Sequence, residues 1–265
     1  MKKKIIAILA LTAIFGACSS DDTSNDTSSA NIFLPLSVGN YWTYNVSGSG
    51  ITSRDSLYVA NDTVIDGETY AKMKTLALPA GFYSSSMRQN AVRKVNSSLV
   101  VRGTSAFNLG GVLPIGIAMN DFVVFRENAN DQELIGTVTG ETTQNYQGTP
   151  LTLNYTMTST AGQSLSTYSV PGGQQFNDVK QVHITISMSI STTLSIAGFD
   201  VDVPILATQD VVSSTQYYAK DIGMVYATTT ISYNLEDFSQ AGIDLPIPPS
   251  SSVTQTETLD TFQAN

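Results

Sequence analysis

The sequence predicts an all-β protein: a single antiparallel meander whose sheet curves into a half-barrel or an open barrel, with very little helix. Three observations carry that expectation. Ser and Thr make up close to a quarter of the 265 residues, while Lys, Arg and Glu, on which helices draw, are scarce. Apolar and polar residues alternate over long stretches from Tyr41 onward. The alternating runs are separated by Gly, Asn and Asp pairs of the kind that turn a chain back on itself.

At the N-terminus, Lys2, Lys3 and Lys4 precede an apolar run from Ile5 to Phe15, a charged region followed by a hydrophobic one of signal-peptide length. The run is too short to span a bilayer as a permanent helix. It ends in Phe15-Gly16-Ala17-Cys18, which resembles the lipobox of bacterial lipoproteins with Phe15 where Leu is usual. The resemblance implies that residues 1–17 are removed and that Cys18, the only Cys, carries a lipid anchor. Residues 18–31 are polar and lack a large apolar side chain as far as Ala30, the composition of a flexible tether. Ser19-Ser20-Asp21-Asp22 resembles the signal that sends Bacteroidetes lipoproteins to the outer face of the outer membrane. Cleavage removes three of the 13 basic side chains and none of the 22 acidic ones. So acidic a chain is not built for nucleic acid or for anionic lipid.

The β domain is expected over residues 32–265. Trp42, Tyr44 and Val46 share one side of a first strand. Asp66-Gly67, between Asn61 to Ile65 and Thr69 to Leu76, has the chemistry of a two-residue hairpin turn. The clearest strand places Val182, Ile184, Ile186, Met188 and Ile190 on one face and His183, Thr185, Ser187, Ser189 and Ser191 on the other, one buried and one wet. Ala197-Gly198 then turns the chain into Phe199 to Leu206. Val211 to Ala219 leads through Asp221-Ile222-Gly223 into Met224 to Tyr233, one helical turn is expected around Leu235 to Gln240, and Val253 to Phe262 returns as a last strand after a Pro-rich connector at Ile243 to Ser252.

Ala106 to Met119 breaks the pattern. It is apolar but holds three Gly and a Pro, which reads as too interrupted for a regular element. Phe107, Leu109, Val112, Leu113, Ile115, Ile117 and Met119 cannot all face water, so the segment is expected to fold against the concave side of the sheet, as a core plug or a lid over a ligand groove.

Phe33-Leu34-Pro35-Leu36-Ser37-Val38-Gly39-Asn40-Tyr41-Trp42-Thr43-Tyr44 resembles the opening "PL-x-x-GN-x-W-x-Y" of a set of uncharacterised Bacteroidetes lipoproteins. Tyr217-Tyr218-Ala219-Lys220-Asp221-Ile222-Gly223-Met224-Val225 resembles their late "YYAKGIGLV" segment, with Asp221 and Met224 in place of Gly and Leu. The resemblance implies a curved antiparallel sheet, of which the half-barrel of the LolA and LolB lipoprotein carriers is one form, and no known activity. Physically, Gly39-Asn40 suits a turn that delivers Trp42 and Tyr44 into a core, and Gly223 suits the turn before Met224; with Tyr218 these read as architectural.

Catalytic chemistry is hard to find. A lone His183 among Ser and Thr has no sequence motif to supply an orienting acid and a nucleophile. With one Cys and one His, no intrachain disulfide and no multi-Cys or multi-His zinc site can form, and no cofactor is expected. Asp200 and Asp202 share a strand face and read as solvated. Glu127 to Glu133 gathers oxygen ligands without the spacing of a calcium loop and reads as a turn. Asp55-Ser56-Leu57 and Asp62-Thr63-Val64 match the pattern that Bacteroidetes O-glycosylate in exported proteins, which makes Ser56 and Thr63 candidate modification sites.

Three functions follow in order: a surface-anchored, non-catalytic binding or structural module; a carrier of an apolar ligand; and a carboxylate-based glycan hydrolase. The expected partners are the membrane, through the anchor at Cys18, and a glycan or lipid-like ligand.

Overall fold

The structure, a computed structural model, describes residues 33–265 except 49, 112, 147, 197–198 and 238–246. The signal-peptide, tether and Cys18 readings therefore lie outside the described residues, as do the Ala197-Gly198 turn and the second half of the stretch expected to form a helical turn at Leu235 to Gln240. Leu235 to Asp237 are described and are not helical.

Alternation becomes strand wherever it was expected. The chain runs β1 (Tyr41–Gly48), β2 (Ile51–Ile65), β3 (Glu68–Lys74), α1 (Phe82–Met87), β4 (Ala91–Val95), β5 (Ser98–Leu109) and β6 (Leu113–Arg126). It continues through β7 (Leu134–Tyr146), β8 (Thr149–Ser169), β9 (Gln175–Ile196), β10 (Phe199–Ala219), β11 (Gly223–Asn234) and β12 (Ser250–Gln263). All twelve strands form one antiparallel sheet in the order β6-β5-β4-β3-β2-β1-β12-β11-β10-β9-β8-β7. The two terminal strands pair at its middle, and its two edges, β6 and β7, face each other, so the meander makes a nearly closed barrel.

Side chains close the seam between β6 and β7. The Tyr155 hydroxyl accepts from Ala118 N at 3.3 Å, the Ser159 hydroxyl donates to Val123 O, and Arg126 pairs with Glu133 at 3.1 Å. Gly136 allows the approach, because a Cβ there would lie 2.3 Å from Val123 O. Covering both edges removes the unpaired strand that would otherwise template aggregation.

The expected hairpin at Asp66-Gly67 forms with both residues at positive φ, 52° and 83°. Val182, Ile184, Ile186, Met188 and Ile190 are buried while their polar neighbours stay partly exposed. The two strands expected at Phe199 to Leu206 and Val211 to Ala219 are instead one continuous β10. Register shifts around Pro204 to Val212 let Ile205 and Leu206, then Val211 and Val212, bury as adjacent pairs.

Ala106 to Met119 is likewise corrected: it is no irregular plug or lid but the regular β5–β6 hairpin. Gly110 and Gly111, at φ 61° and 77°, form its turn. Pro114 and Gly116 sit at outward, exposed positions of edge strand β6, where a missing N–H is tolerated. Leu109, Leu113, Ile115, Ile117 and Met119 are buried, Phe107 is half-buried, and Val112 lies outside the described residues. The segment is buried core, as the plug reading required, but as part of the wall.

The two motif segments meet. Trp42 Nε1 donates to Ile222 O at 2.5 Å and the Tyr44 hydroxyl to Met224 O at 3.1 Å. Gly223, at φ 120°, leaves room for the indole: a Cβ would lie 3.0 Å from Trp42 Nε1. Asn40 ties the barrel's ends together, donating to Pro35 O at 3.2 Å and accepting from Asn265 N at 3.1 Å.

Leu113, 2% exposed, tests this packing. Leu113→Ala should destabilise the domain by about 2 to 5 kcal/mol, read as a lower urea midpoint; an unchanged midpoint would remove the hairpin from the core.

Candidate functional site

A round barrel of about twelve strands is too wide for strand side chains alone to fill. Here the gap is taken up by α1 and by aromatic rings around it. Tyr83 of α1 meets Tyr44 and Tyr218 edge-on at 5.7 and 6.2 Å, and Phe125 lies between Tyr218 and Phe33 at 5.2 and 5.0 Å. All five rings are buried, and burial pushes the phenols of Tyr44, Tyr83 and Tyr218 well above their usual range, so they stay neutral.

The approach to α1 poses a polar problem, since the first amides of a helix have no partner within it. Inward side chains of β2 and β12, the strands flanking β1, supply the acceptors. Asp55 takes Ala80 N at 3.0 Å and Gly81 N at 2.7 Å. Gln255, with its amide turned to satisfy both ends, accepts from Phe82 N at 2.7 Å and donates to Ala80 O at 3.2 Å. Glu257 accepts from Tyr83 N at 2.6 Å, from Ser84 N at 3.0 Å and from the Ser84 hydroxyl at 2.7 Å. Five successive amides are thereby satisfied by three strand side chains. Gly81 is required by contact: a Cβ would lie 2.2 Å from the Glu257 carboxyl.

Two effects compete at Glu257. Its hydrogen bonds favour the ionised form, while complete burial and the nearby Asp55 oppose it; burial dominates and pushes the carboxyl up to about 7.

Beside α1 the surface opens into a cleft of about 300 Å³. Leu78, Pro79, Phe82, Phe107, Pro114 and Ile115 form its apolar part, with Ser85, Arg88 and Asn108 also on its lining. Phe82 and Phe107 meet edge-on at 6.5 Å. Leu76 and Leu78, on the segment leading into α1, are 82% and 80% exposed.

The sequence-derived candidates are scattered around the barrel. Phe107 and Ile115 line the cleft, whereas Leu109, Leu113 and Met119 lie within the core. Gly39, Asn40, Trp42, Tyr44, Tyr218 and Gly223 hold the ends and the centre together, an architectural role. His183 is half-buried on β9 with Nδ1 3.1 Å from the Thr215 hydroxyl. Asp200 and Asp202 are exposed, and Asp202 accepts from the Thr193 hydroxyl at 2.7 Å. Glu127 to Glu133 is a turn-containing connection; the Asn130 N–H, with Arg126 alongside, holds the Glu133 carboxyl below its usual range. Ser56 accepts from Leu76 N at 3.1 Å beside buried Asp55, while Thr63 lies between exposed Asp62 and Val64. On the outer face Tyr168 and Tyr217 stack at 4.0 Å with Tyr226 against both.

Asp55, Gln255, Glu257 and Arg88 escaped the sequence reading as site residues. Asp55 and Glu257 occupy inward positions of alternating strands, the only signal that could have marked them.

Compared with protein-family models, curated proteins and solved structures, the chain matches none.

The buried carboxyl gives a signed pH dependence. Between pH 4.5 and about 7, folded Glu257 keeps a proton that the unfolded chain has lost, so its contribution to stability falls as pH rises through that window and levels off above it. The change is on the order of 3 kcal/mol. Subtracting the stability–pH curve of Glu257→Gln from that of the wild type should expose this slope; parallel curves would contradict it. Gly81→Ala should cost about 1 to 3 kcal/mol by displacing the same carboxyl, read from its chemical denaturation midpoint.

Proposed function

We propose that this chain is a lipid-anchored protein of the outer-membrane surface whose β-barrel is a non-catalytic binding module. The observation that carries the reading is the use to which the barrel's interior is put. A ligand lumen would need open space, and here the middle of the barrel is filled by α1 and its aromatic neighbours. Catalytic carboxylates would need access to substrate. Asp55 and Glu257 approach one another, but they are 4% and 1% exposed and are engaged with backbone amides, which weighs against the glycan-hydrolase alternative.

The anchor is supported by Lys2 to Lys4, the apolar run and Cys18, and by the barrel's outer face. Along β9 that face carries His183, Thr185, Ser187, Ser189 and Ser191, whereas strands that span a bilayer present an apolar band to lipid. A barrel with so polar an exterior needs another means of staying at a membrane. The resemblance to Bacteroidetes lipoproteins fits the same reading. The apolar-carrier alternative draws support from the cleft beside α1.

Detergent-phase partitioning and protease treatment of whole cells test the proposal together. The wild-type chain should partition into detergent and lose its β domain to added protease, and Cys18→Ser should move it to the aqueous phase. Continued membrane association of Cys18→Ser would overturn the lipid anchor. Full protection in intact cells would overturn surface display.

A further inference from the structure

We propose that the cleft beside α1 binds a small amphipathic carboxylate, its short hydrocarbon chain lying against Phe82, Phe107 and Ile115 and its head group paired with Arg88. The inference rests on the reading of the barrel as a binding module and names its ligand class.

The argument begins with charge. The sequence carries 22 acidic residues against 13 basic ones, so an arginine has a carboxylate to pair with almost wherever it is placed. Arg54 pairs with Asp260 at 2.6 Å, Arg93 with Glu68 at 3.0 Å, Arg102 with Asp66 at 2.6 Å and Arg126 with Glu133 at 3.1 Å. Arg88 is the remaining arginine, and among the described residues its guanidinium has no ion-pair partner. Its backbone is fixed, because Arg88 N donates to Ser84 O at 3.0 Å at the end of α1. The residue is one of those that line the apolar cleft. A guanidinium without an ion-pair partner among the described residues, offering five donors in a planar fork, matches a carboxylate in both charge and geometry.

The rest of the lining selects the remainder of the ligand. Among the described residues no Asp or Glu lines the cleft, so an anionic head meets no like charge from them. Among the described residues its polar side groups are few, namely Ser85, Asn108, Gln255 and Arg88, and Gln255 is already committed to Ala80 and Phe82. That leaves too few partners for a polyhydroxylated sugar, whereas the apolar wall suits hydrocarbon. A volume of about 300 Å³ is at the small end for ligand clefts, which favours a short chain. Exposed Leu78 on the rim gains cover when a chain occupies the cleft.

The walls are preorganised. Phe82 and Ser85 stand on a helix whose first amides are held by Gln255 and Glu257, and Ile115 is 2% exposed in edge strand β6. Binding therefore requires little ordering beyond the Arg88 and Leu78 side chains.

Equilibrium dialysis of the full-length chain tests the assignment. Every arm carries Cys18→Ser, which removes the acceptor for the anchor, and the probes are octanoate, octan-1-ol and acetate. Octanoate should bind, acetate should not, and octan-1-ol should bind more weakly than octanoate. Arg88→Gln should weaken octanoate at least fivefold and leave octan-1-ol unchanged, whereas Arg88→Lys should restore most of the octanoate affinity. Leu78→Gln, at an exposed position that folding does not depend on, should weaken both chain-bearing probes. Octanoate affinity that is absent, or unaltered by Arg88→Gln, overturns the assignment, as does equal binding of acetate. Anchoring and surface display are read from partitioning and protease access, so failure of this ligand assignment is distinguishable from failure of that broader reading.

Discussion

Five backbone amides, from Ala80 to Ser84, enter the interior of the barrel and must find acceptors there. An unpaired amide in that setting costs about 1 to 3 kcal/mol, so five of them could not be left open in a domain of ordinary stability. Asp55, Gln255 and Glu257 meet the requirement from the strands on either side of β1. Much of the architecture follows. α1 is too short to be stable alone, and it is helical because its start is held and its apolar side chains are buried. Once held, it fills a barrel that would otherwise be too wide, and its outer flank becomes a wall of the cleft.

The same requirement explains why the first and last strands, β1 and β12, pair at the centre of the sheet. β2 supplies Asp55 early in the chain, and β12 supplies Gln255 and Glu257 at its end. The two can grip one segment only if β12 comes back to β1. Pairing of Trp42 with Phe262 and of Val46 with Glu257 in the β1–β12 ladder provides that return. Trp42 and Tyr44 reinforce it by donating across the interior to the start of β11, and Asn40 by binding Asn265. The closing ladder joins residues more than two hundred positions apart, so the barrel can be completed only when the whole domain is available, a topology that folds slowly.

The antiparallel meander was legible because period-2 alternation and turn pairs are local. The strand at Val182 to Ser191, the Asp66-Gly67 hairpin and the return of Val253 to Phe262 as a strand of the same sheet all appear where the sequence put them. In Ala106 to Met119 the glycines and the proline mask the alternation of a regular hairpin. Leu113, Ile115, Ile117 and Met119 alternate perfectly, and Pro114 and Gly116 fall on the outward positions between them. α1 was not foreseen, since six residues are too few to display a helical stripe. The interior carboxylates were hidden for a different reason. Glu257 and its partners Tyr83 and Ser84 are 174 and 173 residues apart, and one acid in a Thr-rich alternating strand looks like any solvated side chain. The role proposed for Arg88 was equally silent, because it rests on the pairing of the other arginines.

Hydrogen exchange at the amides of Gly81, Tyr83 and Ser84 tests the central claim most directly. If Asp55 and Glu257 hold this segment inside the barrel, these amides should exchange as slowly as those of Trp42 and Ile186 in the sheet interior. Exchange at the rate of an exposed loop, with the strands still protected, would contradict the account.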